Sequence, residues 1–181
     1  PQRPDGEGPA GTVHYRAEVQ MTERQAVAPS GDAPSLSLND WGGGPIYGDV
    51  LFHKDEFQVI QTLNGVGDDG ISGTLKGVEQ AKWGWERWNT DVAALDGGLQ
   101  LILLWARDAM GGAALPMGIG EIRMSSDTPP EGSIECTAQC RAASKNRGVA
   151  DVTFHNEEGT RFAEFKDVEL ILRPNTPKAN A

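Results

Sequence analysis

The chain has 181 residues, 16 Lys and Arg against 26 Asp and Glu for a formal charge of −10, 38% apolar residues and two cysteines. That length suits one domain with a core of its own, needing neither disulfide staples nor a structural metal. The acidity excludes a nucleic-acid binder, because phosphate contact is driven by Lys and Arg through counterion release. The most apolar stretch, Leu99 to Ala106, is far short of the ~20 residues of a spanning helix, and no charged-then-apolar leader opens the chain. The expectation is a cytoplasmic protein with no membrane partner.

Pro1 to Gly11 carries three prolines and three glycines without apolar rhythm and reads as a linker or disordered leader of a longer polypeptide. The folded domain is expected over residues 12–174, with 175–181 a tail. From Thr12 to Arg24, Val13, Tyr15, Ala17, Val19 and Met21 alternate with polar residues, the mark of a half-buried strand. A Pro/Gly/Ser/Asp loop follows from Ala28 to Gly44. Val50 to Leu63 and Ile71 to Val78 read as two strands of a hairpin joined by the Gly- and Asx-rich segment Asn64 to Gly70. Trp83, Trp85 and Trp88 crowd the approach to the next element, which points to packing or an interface.

Between Asp91 and Met110 the periodicity becomes helical and apolar residues cover most of the circumference, as in a buried helix. Gly111 and Gly112 stop it, and Pro116 keeps it stopped. Strands are then expected at Gly118 to Met124, Ser133 to Ser144, Val149 to His155 and Arg161 to Arg173. Strands, one apolar helix, then more strands, with no βαβ alternation, predict an α+β hot-dog fold: a curved antiparallel sheet wrapped around one long helix. Cys136 and Cys140 sit four apart on one strand, ~13 Å at the usual rise, too far for a disulfide. No second cysteine pair or histidine stands at zinc-ligand spacing, so no metal is expected.

The stretch Leu95-Asp96-Gly97-Gly98-Leu99-Gln100 carries the chemistry. Asp96 and Gln100 are one turn apart and project from one helix face. A carboxyl on an apolar helix must be neutral or hydrogen-bonded, which suits a general acid held in one orientation by Gln100. The bland alternative is a carboxylate favoured by the helix N-terminus. Gly97 and Gly98 cost ~1 kcal/mol each relative to Ala and suggest close approach by a ligand or another backbone.

Gly44-Pro45-Ile46-Tyr47-Gly48-Asp49-Val50-Leu51-Phe52 precedes this element and Leu115-Pro116-Met117-Gly118-Ile119 follows it. The ordered set resembles the second half of the dehydratase domains of polyketide synthases and polyunsaturated fatty acid synthases, over about residues 12–174. There, two hot dogs are fused, and the second carries a Tyr-Gly-Pro-x-Phe-like motif, an Asp-x-x-x-Gln/His motif on its helix and a Leu-Pro motif after it. The segment Ala150 to Gly159 is similar to the family's final hairpin.

The resemblance implies dehydration of a 3-hydroxyacyl thioester to a trans-2-enoyl thioester. The substrate is carried on the phosphopantetheine of an acyl carrier protein, and no cofactor is bound directly. A histidine would remove the C2 proton while Asp96 protonates the departing C3 hydroxyl. Gln100 would orient Asp96, Tyr47 would help bind the hydroxyl, Gly48 would give its turn close approach, and Phe52 would belong to the same substrate-binding motif. A Leu115-Pro116 turn would shape the channel.

Two departures stand out. Asp49 occupies the family's proline position, and the His-x-x-x-Gly-x-x-x-x-Pro motif of the first hot dog is missing. His14 and His53 have Glu18 and Phe57 where glycine should be; His155 has Gly159 but Glu164 in place of proline. The base would therefore come from a first hot-dog domain in cis or a second hot-dog chain. A lone hot dog would also expose a sheet edge and helix face and self-associate. Lys82, Arg87 and the tryptophans between them are candidates for carrier docking. The competing readings are a non-catalytic docking module of a synthase and a hot-dog thioesterase.

Overall fold

A computed structural model describes residues 16–21, 34–48, 50–84 and 88–173. Six strands form one antiparallel sheet: β1 (Ile60–Gly67), β2 (Gly70–Lys76), β3 (Ala114–Met124), β4 (Ser133–Ser144), β5 (Arg147–His155) and β6 (Arg161–Leu172), in the order β1-β2-β4-β5-β6-β3. One helix, α1 (Val92–Ala109), lies against it. The expected hot-dog arrangement is the observed one. Among the described residues no helix is long and apolar enough to cross a membrane.

Alternation along the strands turns one row of side chains toward the helix. On β4 that row is Ile134, Cys136, Ala138 and Cys140, and on β5 it includes Ala150, Val152 and Phe154. Both cysteines are free and buried. The helix begins at Asp91, whose Oδ1 accepts from Ala94 N at 2.8 Å, an N-cap. The same carboxylate accepts from Val78 N at 3.0 and 3.1 Å, tying the helix start to the loop after β2. Burial pushes Asp91 above the usual carboxylate range, although its backbone donors pull the other way.

Gly97 and Gly98 are approached by side chains of the sheet, where a ligand or another backbone was expected. A Cβ on Gly97 would lie 2.9 Å from Leu75 Cδ1, and one on Gly98 would lie 2.5 Å from Phe154 Cζ. The helix settles onto β2 and β5 because those two positions carry no side chain.

Several expected boundaries move. The strand expected at 12–24 is absent where it can be seen, since residues 16–21 form no strand and are exposed; the remainder, like 1–11, 175–181, Asp49, Trp85 and Arg87, lies outside the described residues. The strand expected from Val50 starts only at Ile60. Before it, Gly48 N donates to Leu51 O and Leu51 N to Ile46 O, folding the chain into a tight loop, and Asp55–Phe57 forms a single 3-10 turn. Asn64 to Gly67, expected as loop, belongs to β1, so the hairpin turn shrinks to Asp68 and Asp69. β3 starts four residues earlier than expected, so Leu115 and Pro116 lie in a strand and form no turn.

Among the described residues strand β3 is a sheet edge, paired only with β6. Edge position is what lets it hold Pro116, which has no N–H to donate, and the register slips between Pro116 and Gly118. The helix is not buried all round: Leu95, Asp96, Leu99, Leu103 and Arg107 form a half-buried stripe. A single sheet layer covers one side of a helix, and this stripe is the side left over.

Candidate active site

The Tyr47 loop, the Asp55–Phe57 turn, the start of β1 and Asp96 of the α1 stripe converge around Gln100. Its side chain is almost wholly buried, 1% exposed, and every polar group on it has a partner. Tyr47 Oη donates to Gln100 Oε1 at 2.9 Å. Gln100 Nε2 donates to Asp96 Oδ2 at 2.7 Å and to the carbonyl of Phe57 at 2.9 Å. Ile60 N in turn donates to Tyr47 Oη at 2.8 Å. Asp96 is half-buried on the open helix face. Three residues singled out from the sequence are thus joined through side-chain hydrogen bonds.

Burial pushes the Tyr47 hydroxyl up to about 12, and the charge of Asp96 adds to the rise against the lowering effect of the Ile60 and Val59 backbone. Tyr47 therefore remains a neutral O–H donor through the physiological range. Gly48 is needed for its φ of 109°, a left-handed conformation. A Cβ there would meet no atom of the chain within 4 Å, so within the chain itself it is the positive φ that calls for glycine.

Phe52 and Leu115 come together elsewhere. Both line a cavity of about 70 Å³ with Val50, Leu51, Leu103 and Arg107. Leu103 and Arg107 follow Asp96 at i+7 and i+11, so this cavity opens farther along the same helix stripe, ~10–16 Å beyond Asp96 along the axis. Pro116 is the neighbour of Leu115 in β3, opposite Leu170. A larger cavity of about 590 Å³ lies at the C-terminal end of the helix, among Asp40, Asp68, Asp69 and Asp108. Among the described residues no group of His, Cys, Asp or Glu is arranged to hold a metal.

Of the histidines, His14 lies outside the described residues. His53 is half-buried and stacks on Phe52, ring centroids 4.5 Å apart, with its Nδ1 buried and unbonded. His155 is buried in β5, and burial, reinforced by nearby Arg161, holds it below the usual imidazole range. Trp83 packs against the cluster of Val59, Val78, Ala81 and Ala93, meets Phe57 at 4.9 Å, and donates from Nε1 to Glu56 O at 2.8 Å; Trp88 Nε1 donates to Trp83 O at 2.8 Å.

Two contributors to the site are backbone groups, the Phe57 carbonyl and the Ile60 amide. No side-chain motif marks them, and only the turn at Asp55–Phe57 brings them to Gln100. Asp91 is a third residue outside the expected set, legible as an N-cap from its place just before an apolar helix.

Fold and site together define a hot-dog domain with a carboxyl held by an amide on its central helix. The chain belongs to the polyketide synthase dehydratase N-terminal domain family, whose profile matches residues 46–180. It is 27% identical to one of the subunits of the polyunsaturated fatty acid synthase from Thraustochytrium sp., over 84% of this chain and 6% of that protein. In structure it is similar to the dehydratase domain of PpsC from Mycobacterium tuberculosis, solved with C12:1-CoA. The TM-score is 0.55 at 19% identity, over 67% of this chain and 46% of that one. A hypothetical thioesterase from Streptococcus pneumoniae, solved with coenzyme A, gives a TM-score of 0.52 at 12% identity, over 65% of this chain and 87% of that one. The chain thus spans a small part of the synthase polypeptide and under half of the dehydratase domain.

Proposed function

We propose that the chain is the acid-bearing, C-terminal half of a 3-hydroxyacyl-thioester dehydratase, completed by a hot-dog partner that supplies the histidine base. The observation that carries this is the Asp96–Gln100–Tyr47 connection. A carboxyl fixed from one side by a buried amide, with its other side on the open helix face, is placed to give a proton to a leaving hydroxyl. The partner's histidine takes the C2 proton, the C3–O bond breaks, and Asp96 protonates the oxygen as water leaves. The matched family profile describes the N-terminal domain of such dehydratases; our assignment to the second half rests on Asp96, Gln100 and Tyr47 and on the missing histidine motif.

The stripe beyond Gln100 supports a channel in which Phe52 and Leu115 border the acyl thioester, with Gly48 and Pro116 shaping their segments. An acyl carrier protein presents that thioester on its phosphopantetheine arm. The exposed Leu115, Met117, Ile122 and Met124 on the β3 edge support pairing with a second hot dog, in cis or as another chain. The missing histidine motif also favours one second reading, a docking module in which Asp96 is idle.

The test is dehydration, or the reverse hydration, of a 3-hydroxyacyl thioester followed by mass spectrometry. The chain is assayed alone and with a segment carrying the histidine motif. Activity only with the partner, lost by about 10²-fold or more in Asp96→Asn, establishes the split site. Silence in the associated, folded pair overturns it in favour of the docking module.

A further inference from the structure

The hydrogen bonds around Gln100 have a direction that the residue types impose. A carbonyl oxygen only accepts, so the atom of Gln100 facing Phe57 O at 2.9 Å is the nitrogen, and the side-chain amide cannot be flipped. A backbone N–H only donates, so Tyr47 Oη accepts from Ile60 N, and its single proton goes to Gln100 Oε1. Gln100 therefore always presents an N–H to Asp96 Oδ2. When Asp96 carries the proton it is to transfer, the oxygen that accepts the Gln100 N–H is the carbonyl-like one, which leaves that proton on Oδ1.

We propose that Tyr47 is a positioning residue that acts through Gln100, and that the directed chain from the Ile60 N–H through Tyr47 and Gln100, locked by the Phe57 carbonyl, places the transferable proton of Asp96 on Oδ1. This rests on the dehydratase reading and changes one part of it, since the Tyr47 hydroxyl has its proton committed to Gln100 and none to give the substrate hydroxyl. The backbone of residues 57–60 sets the direction of the whole chain. Phe57 and Ile60 can vary in side chain without loss of the groups that matter.

The experiment has two arms. In the first, the side-chain amide of Gln100 is followed by ¹H–¹⁵N NMR in the folded chain, wild type against Tyr47→Phe, where no turnover is required. The expected result is a widely split, exchange-protected NH₂ pair whose splitting and protection fall in Tyr47→Phe while the backbone spectrum is otherwise kept. An NH₂ pair with the same splitting and exchange protection in both proteins overturns the directed chain.

In the second arm, Tyr47→Phe, Gln100→Leu and the double variant are assayed with the histidine-bearing partner. Tyr47→Phe should lower kcat by about 10- to 100-fold, the scale set by misorienting a reacting group, with KM within about twofold. The double variant should be no worse than Gln100→Leu alone. Additive losses, or a loss in KM, mean that Tyr47 touches substrate and overturn the proposal. Absence of turnover in every protein, wild type included, counts against the dehydratase reading and leaves the NMR arm to judge the chain.

Discussion

Gly98 of α1 and Phe154 of β5 are in such close register that a Cβ on the glycine would stand 2.5 Å from the phenylalanine Cζ. Two effects of Gly98→Ala oppose each other. Alanine gains about 1 kcal/mol of helix propensity, while overpacking against Phe154 and Val152 costs about 1–3 kcal/mol. The ring is fully buried and also wedged against Phe162 and Phe165, so it has nowhere to turn. Gly98→Ala should therefore lower the urea midpoint, at unchanged m-value.

Acidification should weaken the fold through His155. His155 is held neutral in the native state by burial, so its folded value lies below its ordinary one. The unfolded chain then binds the extra proton first. The stability is complete above the unfolded imidazole value, near 6.5, and is lost as pH falls through the folded one. Thermal melts between about pH 7.5 and pH 5.5, a window above the Asp and Glu range, should show a decline in Tm that is flattened in His155→Gln.

Alkali should act through the buried thiols. Burial raises both Cys136 and Cys140, Cys136 well above the ordinary thiol value. Here the unfolded chain loses the proton first, so stability is full below the unfolded thiol value, about 8.5, and falls as pH rises above it. A colorimetric thiol reagent at neutral pH should leave both cysteines unmodified until denaturant is added. Cys136→Ala should reduce the alkaline slope of Tm while costing some stability through the cavity it leaves.

Among the described residues strand β3 presents an unpaired edge whose Leu115, Met117, Ile122 and Met124 are all exposed. Such an edge invites pairing with another strand. Sedimentation of the isolated chain should show self-association that Ile122→Lys shifts toward monomer without change in the far-ultraviolet CD. A monomer at tens of micromolar in the wild type would count against this edge as a partner surface.

The strong periodicities were readable. The 3.6-residue rhythm from Asp91 to Met110 placed α1 to within a residue at each end, and alternation placed β4 without error. Each pattern repeats over many residues, so the burial it promises is large. The segment from Val50 to Val59 was not readable: it is apolar enough for a strand, yet the tight loop at Tyr47–Leu51 and the turn at Asp55–Phe57 claim its backbone hydrogen bonds. Asn64 to Gly67 failed in the opposite sense. Its glycines suggest a loop, but the β2 neighbour and the Asn39 bridge at Val66 supply ladder partners that only the folded sheet provides.

By itself the sequence determined the fold class, the span of the central helix and the presence of Asp96 and Gln100 one turn apart on it, because these follow from local periodicity and helix geometry. Only the tertiary structure decided that Gly97 and Gly98 face the sheet, that Leu115 and Pro116 lie in an edge strand, and that the Phe57 carbonyl and Ile60 amide orient the Tyr47–Gln100–Asp96 chain. Those outcomes depend on which surfaces meet and on backbone donors and acceptors, which every residue type carries alike and which acquire direction only when the chain has folded.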